Sequence, residues 1–511
     1  MLRTDNFAPA AEAPATDPPG ARRRKWAVLL AGAAAAVAAV HGQWDLPLAA
    51  WLYPIFLLHF GASGRWLPAA LGTWAVTSIA ALALLVKAGL PVFAPLSGLC
   101  LVLGVLHVVP YLLHRFAAAR LRGPLLTTLV FPAAVVAVEY ALASATSIGT
   151  VLSTFAPTQH ANLPLVQLAS VTGGYGISFV MAWFAAVVAV AWAHRGRWAR
   201  VRAAVICYAV VLGLVLAGGM LRLGFFATAP ETVRVAGVSP ARSVNEAAEK
   251  PFGTYQSFHE AAQAKPAEVR HGFDAVNNNL LASTEREARA GAEIVSWSEA
   301  AAPVLDADRA ALLGRIGKVA AESRVYIVAG LWVVTAEAPY SRNESVLLTP
   351  EGKVAWTYEK AYPVPGMDTT IPGDGRMPII DTPHGRVAGV ICFDSMFPAL
   401  MRQGGDADLM FVISNDWPEY GRTHTEKNVL PAVEHGFTVI RQDSNGQSGT
   451  IDPYGRGLAS VDYFAHDQPS MIAYVPTKGA VTVYDLIGDT FAWLAIAALA
   501  VLTGAAARRR R

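Results

Sequence analysis

The hydrophobic pattern changes character near residue 222 and changes back near residue 486. Before the first of these points apolar residues run in long stretches, broken only by short basic or Pro/Gly segments. A helix needs about 20 apolar residues to cross a bilayer. On that measure, spans are expected at roughly 26–41, 45–61, 67–86, 95–113, 124–145, 172–193, 203–221 and 487–507, the first two being short. From Val233 the pattern becomes one of short β-rich runs alternating with amphipathic stretches. Strands are expected at Val233–Val238, Glu293–Trp297, Val325–Val334, 344–348, 353–358, 386–391, Leu409–Ser414, 437–442, 448–452 and 470–475. Helices are expected at 266–290, 307–323, 395–403 and 423–435, and such alternation predicts an α/β sandwich with helices outside and sheets within. The chain then divides into a tail (1–25), a helical bundle of about seven spans (26–222), a polar domain (223–485) and a last span with a basic tail (486–511). The loop between Ser147 and Gly174 is expected to lie against the membrane surface, as an ordinary outer loop or facing substrate.

Composition agrees, because 54% hydrophobic and only 15% charged residues over 511 positions exceed what a soluble chain of this size carries. Charge adds an orientation. Arg22–Lys25, Arg65, Arg115/Arg120/Arg122, Arg195/Arg197/Arg200/Arg202 and Arg508–Arg511 all fall on one side of an eight-span arrangement, and the opposite loops hold only Lys87. The positive-inside rule then makes both termini cytoplasmic and turns the polar domain outward, toward the periplasm in a bacterial inner membrane. A cleaved signal peptide fits the first apolar run less well than a retained span, given the long polar leader before it. The formal charge of +3, with arginines clustered rather than interleaved with aromatics, excludes nucleic acid as a partner. Of three cysteines, Cys100 and Cys207 lie inside apolar runs, so the polar domain has no disulfide framework.

That leaves Cys392, delivered by the buried-strand pattern Arg386–Ile391 and followed by Phe393, Asp394 and a helix start. Strand C-termini are where open α/β sheets carry chemistry, and N–H groups at a helix start would favour a thiolate and serve as oxyanion donors. A buried structural cysteine fits the same residue equally well. Two more polar groups follow strand-like runs directly: Glu299 after Ile294–Ser298, and Lys360 after Val354–Glu359. A thiol nucleophile needs a base and its tetrahedral intermediate needs a cation, roles that Glu299 and Lys360 can fill. Chance surface charges would read the same way. No metal or other cofactor is called for, since the polar domain has no His/Cys cluster at ligand spacing, and His384, His424 and His435 read as surface or helix residues.

With Glu299, Lys360 and Cys392 in this order, the chain resembles the nitrilase (carbon-nitrogen hydrolase) superfamily, whose triad is Glu, Lys and Cys on an α-β-β-α sandwich. Segments Pro164–Phe179 and Thr482–Asp489 are similar to stretches of its membrane branch, in which that sandwich stands outside the membrane on an eight-helix bundle. The resemblance implies Glu299 as general base, Lys360 as oxyanion stabiliser and Cys392 as nucleophile. The flanks depart from the family: Trp297-Ser298-Glu299 stands for Trp-Pro-Glu, Cys392-Phe393-Asp394 for Cys-Tyr-Glu, and Asp368 for an auxiliary glutamate. Asn415-Asp416-Trp417-Pro418 stands for Asn-Asp-x-Trp-Phe, displacing the tryptophan by one position. Phe393, Asp394, Asn415, Trp417 and Asp368 are therefore the expected substrate-binding or auxiliary residues. The resemblance also implies the reaction, transfer of an acyl chain from a phospholipid, through a Cys392 thioester, to the N-terminal amine of a diacylglyceryl-cysteine lipoprotein. A membrane-tethered amidase using the same triad, and a lipid- or lipoprotein-binding protein on the same scaffold, remain open on the residues.

Overall fold

A computed structural model describes residues 19–62, 64–153, 155–195, 197–226 and 231–508. Most of the expected N-terminal tail (1–18) and the terminal Arg509–Arg511 lie outside the described residues. The first part of the chain is a bundle of seven long helices: α1 (Pro19–Ala39), α2 (Pro47–Ala62), α3 (Trp66–Lys87), α4 (Ala94–Ala118), α5 (Pro124–Ala145), α6 (Gly174–Ala193) and α7 (Trp198–Leu221). With the last long helix, Thr490–Arg508, which packs on α5, they match the eight expected spans within a few residues, except that α1 begins early and takes Arg22–Lys25 into its first turns. Six described helices are long and apolar enough to cross a membrane, α3 to α7 and the last. Four cations at the start of α1 and the 16-residue length of α2 keep these two below that measure.

The polar domain opens on β1 (Thr232–Val238) and continues through helix α8 (Pro266–Arg289), strands β2 (Ile294–Trp297) and β3 (Ala302–Leu305), helix α9 (Arg309–Ser323) and strands β4 (Tyr326–Val334), β5 (Ser341–Leu348) and β6 (Val354–Glu359). Pro266 fits the first turn of α8, where its missing N–H is no loss, and Arg286 and Arg289 complement the carbonyl end. Val269, Phe273, Val276 and Leu280 recur at helical spacing and are buried on one face. There Val276 and Leu280 join Val295, Ile327 and Val346 of the sheet and Ile316 of α9 in one core. The second half adds β7 (Ile379–Thr382), β8 (Gly385–Ile391), β9 (Leu409–Asn415), short helices α10 (Gly421–Lys427) and α11 (Val429–His435), β10 (Thr438–Arg441), β11 (Asp443–Ser444), β12 (Gln447–Ile451), β13 (Gly457–Asp462) and β14 (Met471–Pro476). Here α10 and α11 replace the single helix expected over 423–435. Pro431 has no N–H to give the carbonyl of Lys427, so the helix breaks at Asn428.

One sheet runs β14-β1-β2-β4-β5-β6 with β3 on β4, and the other β13-β12-β10-β9-β8-β7 with β11 on β9. β1, β2 and β4 are parallel to one another, as are β8, β9 and β10, with Val390 opposite Val412 and Ile391 opposite Ile413. Strands covered on both faces read as unbroken apolar runs, which is why these were legible. Val328, Leu347 and Trp356 of the first sheet share a core with Val390 and Val412 of the second, to which α11 adds Ala432 and Val433. This is an α-β-β-α sandwich whose second outer layer rests on the helical bundle.

The loop between Ser147 and Gly174 forms the seam between the two parts. Its Gln159, Leu165 and Val166 are buried. Gly149, at φ +53°, brings its backbone so close to Met396 that an added Cβ would sit 2.3 Å from that carbonyl oxygen, and Thr150 Oγ1 donates to the same oxygen at 3.0 Å. Further along the seam, Gly174 N donates to Glu434 Oε1 at 2.7 Å and Gln167 Nε2 to the Tyr454 carbonyl at 2.9 Å.

Candidate active site

The three sequence-selected polar groups converge from both sheets. Glu299 follows β2 at a chain reversal, where Ala300 is left-handed at φ +54° and the backbone N–H of Glu299 donates across to Ser414 O of the other sheet at 3.2 Å. Gly330 of β4 runs so close beneath that a Cβ would lie 2.0 Å from Ser298 O, so this position takes no side chain. Lys360, directly after β6, donates from Nζ to Glu299 Oε1 at 2.8 Å and to Asp368 Oδ2 at 2.6 Å. Asn343 Nδ2 (2.7 Å) and the Asn415 backbone N–H (2.9 Å) donate to the remaining lone pairs of Glu299. Burial works against the Lys360 ammonium, yet Glu299, Cys392 and Asp368 hold its pKa well above the ordinary value. Lysine stays charged.

Cys392 closes β8 at φ +49°, a conformation that costs a non-glycine residue about 1 kcal/mol or more. The strand thus ends in an elbow that turns the buried thiol toward Glu299, Lys360 and Asp416, whose charges all bear on it. A short 3-10 turn, Cys392–Met396, comes first, and the helix expected over 395–403 is present only as the turn of α-helix Pro398–Met401 and a 3-10 turn at Arg402–Gly404. The expected thiolate is overturned as well. Burial pushes the thiol well above its ordinary value, Glu299 and Asp416 push it further, and Lys360 and Arg441 only partly offset them. A proton must therefore leave sulfur during any attack.

On its other side the thiol faces Asp416, with Sγ 3.8 Å from Oδ1. Asp416 is saturated: Arg441 Nη2 donates at 2.7 Å, and His424 Nδ1 lies 2.9 Å from Oδ1. Although burial opposes it, Arg441 and His424 hold the Asp416 carboxyl below its ordinary range, whereas burial and Asp416 push Asp443 up. Burial lowers His424 to about 4, leaving it neutral. His424 and His435 are both buried on helices rather than on the surface. Cys392, Asp416 and His424 bring potential ligand atoms within 4.8 Å of one another, as do His41, His160 and Glu426, although neither trio shows ligand spacing in sequence.

The auxiliary candidates divide. Asp368 touches the Lys360 ammonium and is pinned by the Val364 N–H at 2.9 Å. Asp394 is fully enclosed, accepting from Tyr358 Oη (2.7 Å), Tyr362 N (2.8 Å), Ile391 N (3.2 Å) and Ala361 N (3.3 Å), so it fastens the Lys360 loop to the Cys392 turn. Phe393 packs edge-on against Phe397, which stacks on Tyr362. Asn415 reaches Glu299 through its backbone, and Trp417 stacks on Tyr420 with Nε1 donating to the Ala88 carbonyl at the end of α3. Asn343 and Arg441 were not singled out from sequence, and His424 was read only as a surface or helix residue. The signal available was a polar run, Ser341–Ser345, inside a strand, and an arginine ending the apolar run of β10.

Two cavities lie beneath the site. One, of about 100 Å³, opens among the bundle helices between Leu57, Val76, Tyr111 and Phe131. The other, of about 50 Å³, is walled by Ser395, Met396 and Met401 beyond Cys392, and Glu139, Ser153 and Lys427 border both.

Residues 260–475 match the family model for carbon-nitrogen hydrolase. An apolipoprotein N-acyltransferase of Geobacter metallireducens is 27% identical over 444 residues, covering 79% of this chain and 78% of its own length. Two further relatives of that name match over less than half of their own length. The one from Pseudomonas aeruginosa is 25% identical over 199 residues, covering 34% of this chain and 39% of its own. The one from Brucella melitensis is 26% identical over 239 residues, covering 40% and 44%. Among solved structures, an amidase from Nesterenkonia sp., 16% identical with a TM-score of 0.37, covers 49% of this chain and 93% of its own. The chain thus carries a carbon-nitrogen hydrolase domain over residues 260–475, and its similarity to the apolipoprotein N-acyltransferases continues into the apolar helices.

Proposed function

We propose that this protein is a bacterial inner-membrane N-acyltransferase that carries a fatty acyl chain as a Cys392 thioester from a phospholipid to the N-terminal amine of a diacylglyceryl-cysteine lipoprotein. The observation that carries this reading is the Lys360 ammonium held between Glu299 and Asp368 beside a buried thiol, on a sandwich docked to a helical bundle whose nearer cavity is walled by Ser395 and Met396 of the turn that Cys392 opens. The Cys392 sulfur attacks the ester carbonyl while its proton passes to Glu299. Lys360 stabilises the oxyanion, and collapse expels the lysophospholipid alkoxide, which takes the proton from Glu299. The incoming amine then attacks the thioester, gives its proton to Glu299, and the sulfur recovers it on leaving. In this reading both termini are cytoplasmic and the sandwich faces the periplasm, as the one-sided arginines of the sequence support.

Mass spectrometry of the full-length protein given phospholipid alone tests this. The chain should gain one acyl mass, release lysophospholipid, and lose the adduct when a lipopeptide with a free N-terminal amine is added. Release of ammonia from small amides without such an adduct would make it a tethered amidase, and a Cys392→Ser variant that keeps its function would make it a binding protein.

A further inference from the structure

At the seam between bundle and sandwich, away from the thiol, three side chains from three separate segments meet. His41 lies between α1 and α2, His160 follows the turn Ala156–Gln159, and Glu426 is on α10. Both imidazoles are oriented by their inner nitrogen. His41 Nδ1 lies 2.9 Å from Asp45 Oδ2, and His160 Nδ1 lies 3.2 Å from the Pro157 carbonyl oxygen. Each acceptor fixes the tautomer in which Nδ1 carries the proton and Nε2 presents its lone pair. Those lone pairs face the carboxylate: His41 Nε2 is 3.7 Å from Glu426 Oε2, and His160 Nε2 is 3.6 Å from Oε1.

Lone pair facing lone pair is repulsive unless a cation sits between them. At 3.6–3.7 Å the gap is too wide for a shared proton. It suits an ion about 2.0–2.2 Å from each donor, because ligands at that radius and near-tetrahedral angles stand about 3.4–3.6 Å apart. His41 Nε2 is moreover a buried atom with no hydrogen-bond partner, on a residue only 6% exposed. Arg422 Nε also donates to Glu426 Oε1 at 2.8 Å from its exposed side, leaving Oε2 free of that bond. Lys427 points away, to the Val151 carbonyl.

We propose that His41, His160 and Glu426 form a binding site for a divalent cation of the Zn²⁺ class, with Asp45 and the Pro157 carbonyl as the outer partners that orient the two imidazoles. Two imidazoles and one carboxylate suit that class rather than Ca²⁺ or Mg²⁺, which take oxygen. The ion clamps two bundle segments to α10, the helix that carries His424 into the thiol site, so its role is to hold the sandwich on the bundle.

The experiment uses full-length protein in detergent, carrying Cys392→Ala so that the trio around the thiol cannot supply a sulfur ligand, stripped with chelator and dialysed against Zn²⁺. The expected result is about one Zn²⁺ per chain and a raised melting temperature, with affinity reduced at least about tenfold in His160→Ala and in Glu426→Gln. Asp45→Asn, which keeps the shape and changes only an outer partner, should weaken affinity about 10–100-fold. Replacing Zn²⁺ with Co²⁺ should give visible d–d absorption without a sulfur charge-transfer band, and His160→Cys should introduce that band. Absence of Zn²⁺ uptake by the Cys392→Ala protein, or uptake unchanged by Glu426→Gln and His160→Ala, would overturn the site.

Discussion

Two buried ionic networks flank Cys392, and they are built to different ends. On one side Lys360 bridges Glu299 and Asp368, two carboxylates on one ammonium. On the other Arg441 bridges Asp416 and Asp443, again two carboxylates on one cation. The cation makes the difference. A guanidinium does not give up its proton and engages carboxylates as a rigid fork, whereas an ammonium is a compact charge on a flexible stem. Arg441 and His424 tie up Asp416, although it makes the nearer hydrogen-bond contact to sulfur. Geometry alone would therefore nominate Asp416 as base; its depressed pKa argues against it, and the proposed route gives the proton to Glu299 instead. Contact with a thiol is not the same as readiness to accept its proton.

The largest effect should come from the thiol both networks share. Cys392→Ser should lower acyl-enzyme formation by on the order of 10⁴-fold or more, measured as adduct mass, with the melting temperature nearly unchanged. The networks themselves should separate under matched substitutions. Lys360→Met should slow adduct formation by about 10²–10³-fold. Arg441→Met should destabilise the fold by about 3–5 kcal/mol, because it leaves buried carboxylates unpaired, yet change the rate per folded molecule less than about tenfold. Equal rate losses with both folds intact would erase the distinction between the two sides.

Asp394, which anchors the Lys360 side, gives a pH signature. Burial pushes its carboxyl from 3.8 up to about 6 despite four donors. The folded value lies above the unfolded one, so this group's stabilising contribution is full below about pH 4 and lost as pH rises through about 6, at most about 3 kcal/mol. Asp394→Asn should remove that slope from thermal melts recorded between pH 4 and 7. The smallest effect is expected at Asp368. Asp368→Ala should slow adduct formation about tenfold through a less restrained Lys360, and Asp368→Glu should be tolerated. Indistinguishable rates for all three would show that the bond to Lys360 does no positioning.

Much of this architecture is legible because it rests on local patterns. Long apolar runs specify the helices, since length and hydrophobicity alone decide whether a helix can cross a bilayer. The strands that carry Glu299, Lys360 and Cys392 to their ends announce themselves as short runs rich in apolar, aromatic and β-branched residues, and a polar residue directly after such a run is visible without a structure. What the chain could not disclose is pairing at a distance. Asn343 reaches Glu299 only because β5 joins the sheet that holds β2, the Asn415 N–H only because β9 lies in the facing sheet, and Arg441 meets Asp416 only because β10 lies parallel beside β9. The thiol's protonation was misjudged from sequence for the same reason, because burial and the charges of Glu299 and Asp416 arise from segments far apart in the chain. His41, His160 and Glu426 are each more than a hundred positions apart, and only the docking of the sandwich on the bundle turns their rings and carboxylate toward one another. Local sequence specifies what each segment forms; which charges share a low-dielectric space is decided by packing, because electrostatic energies depend on distance and burial, which no spacing along the chain encodes.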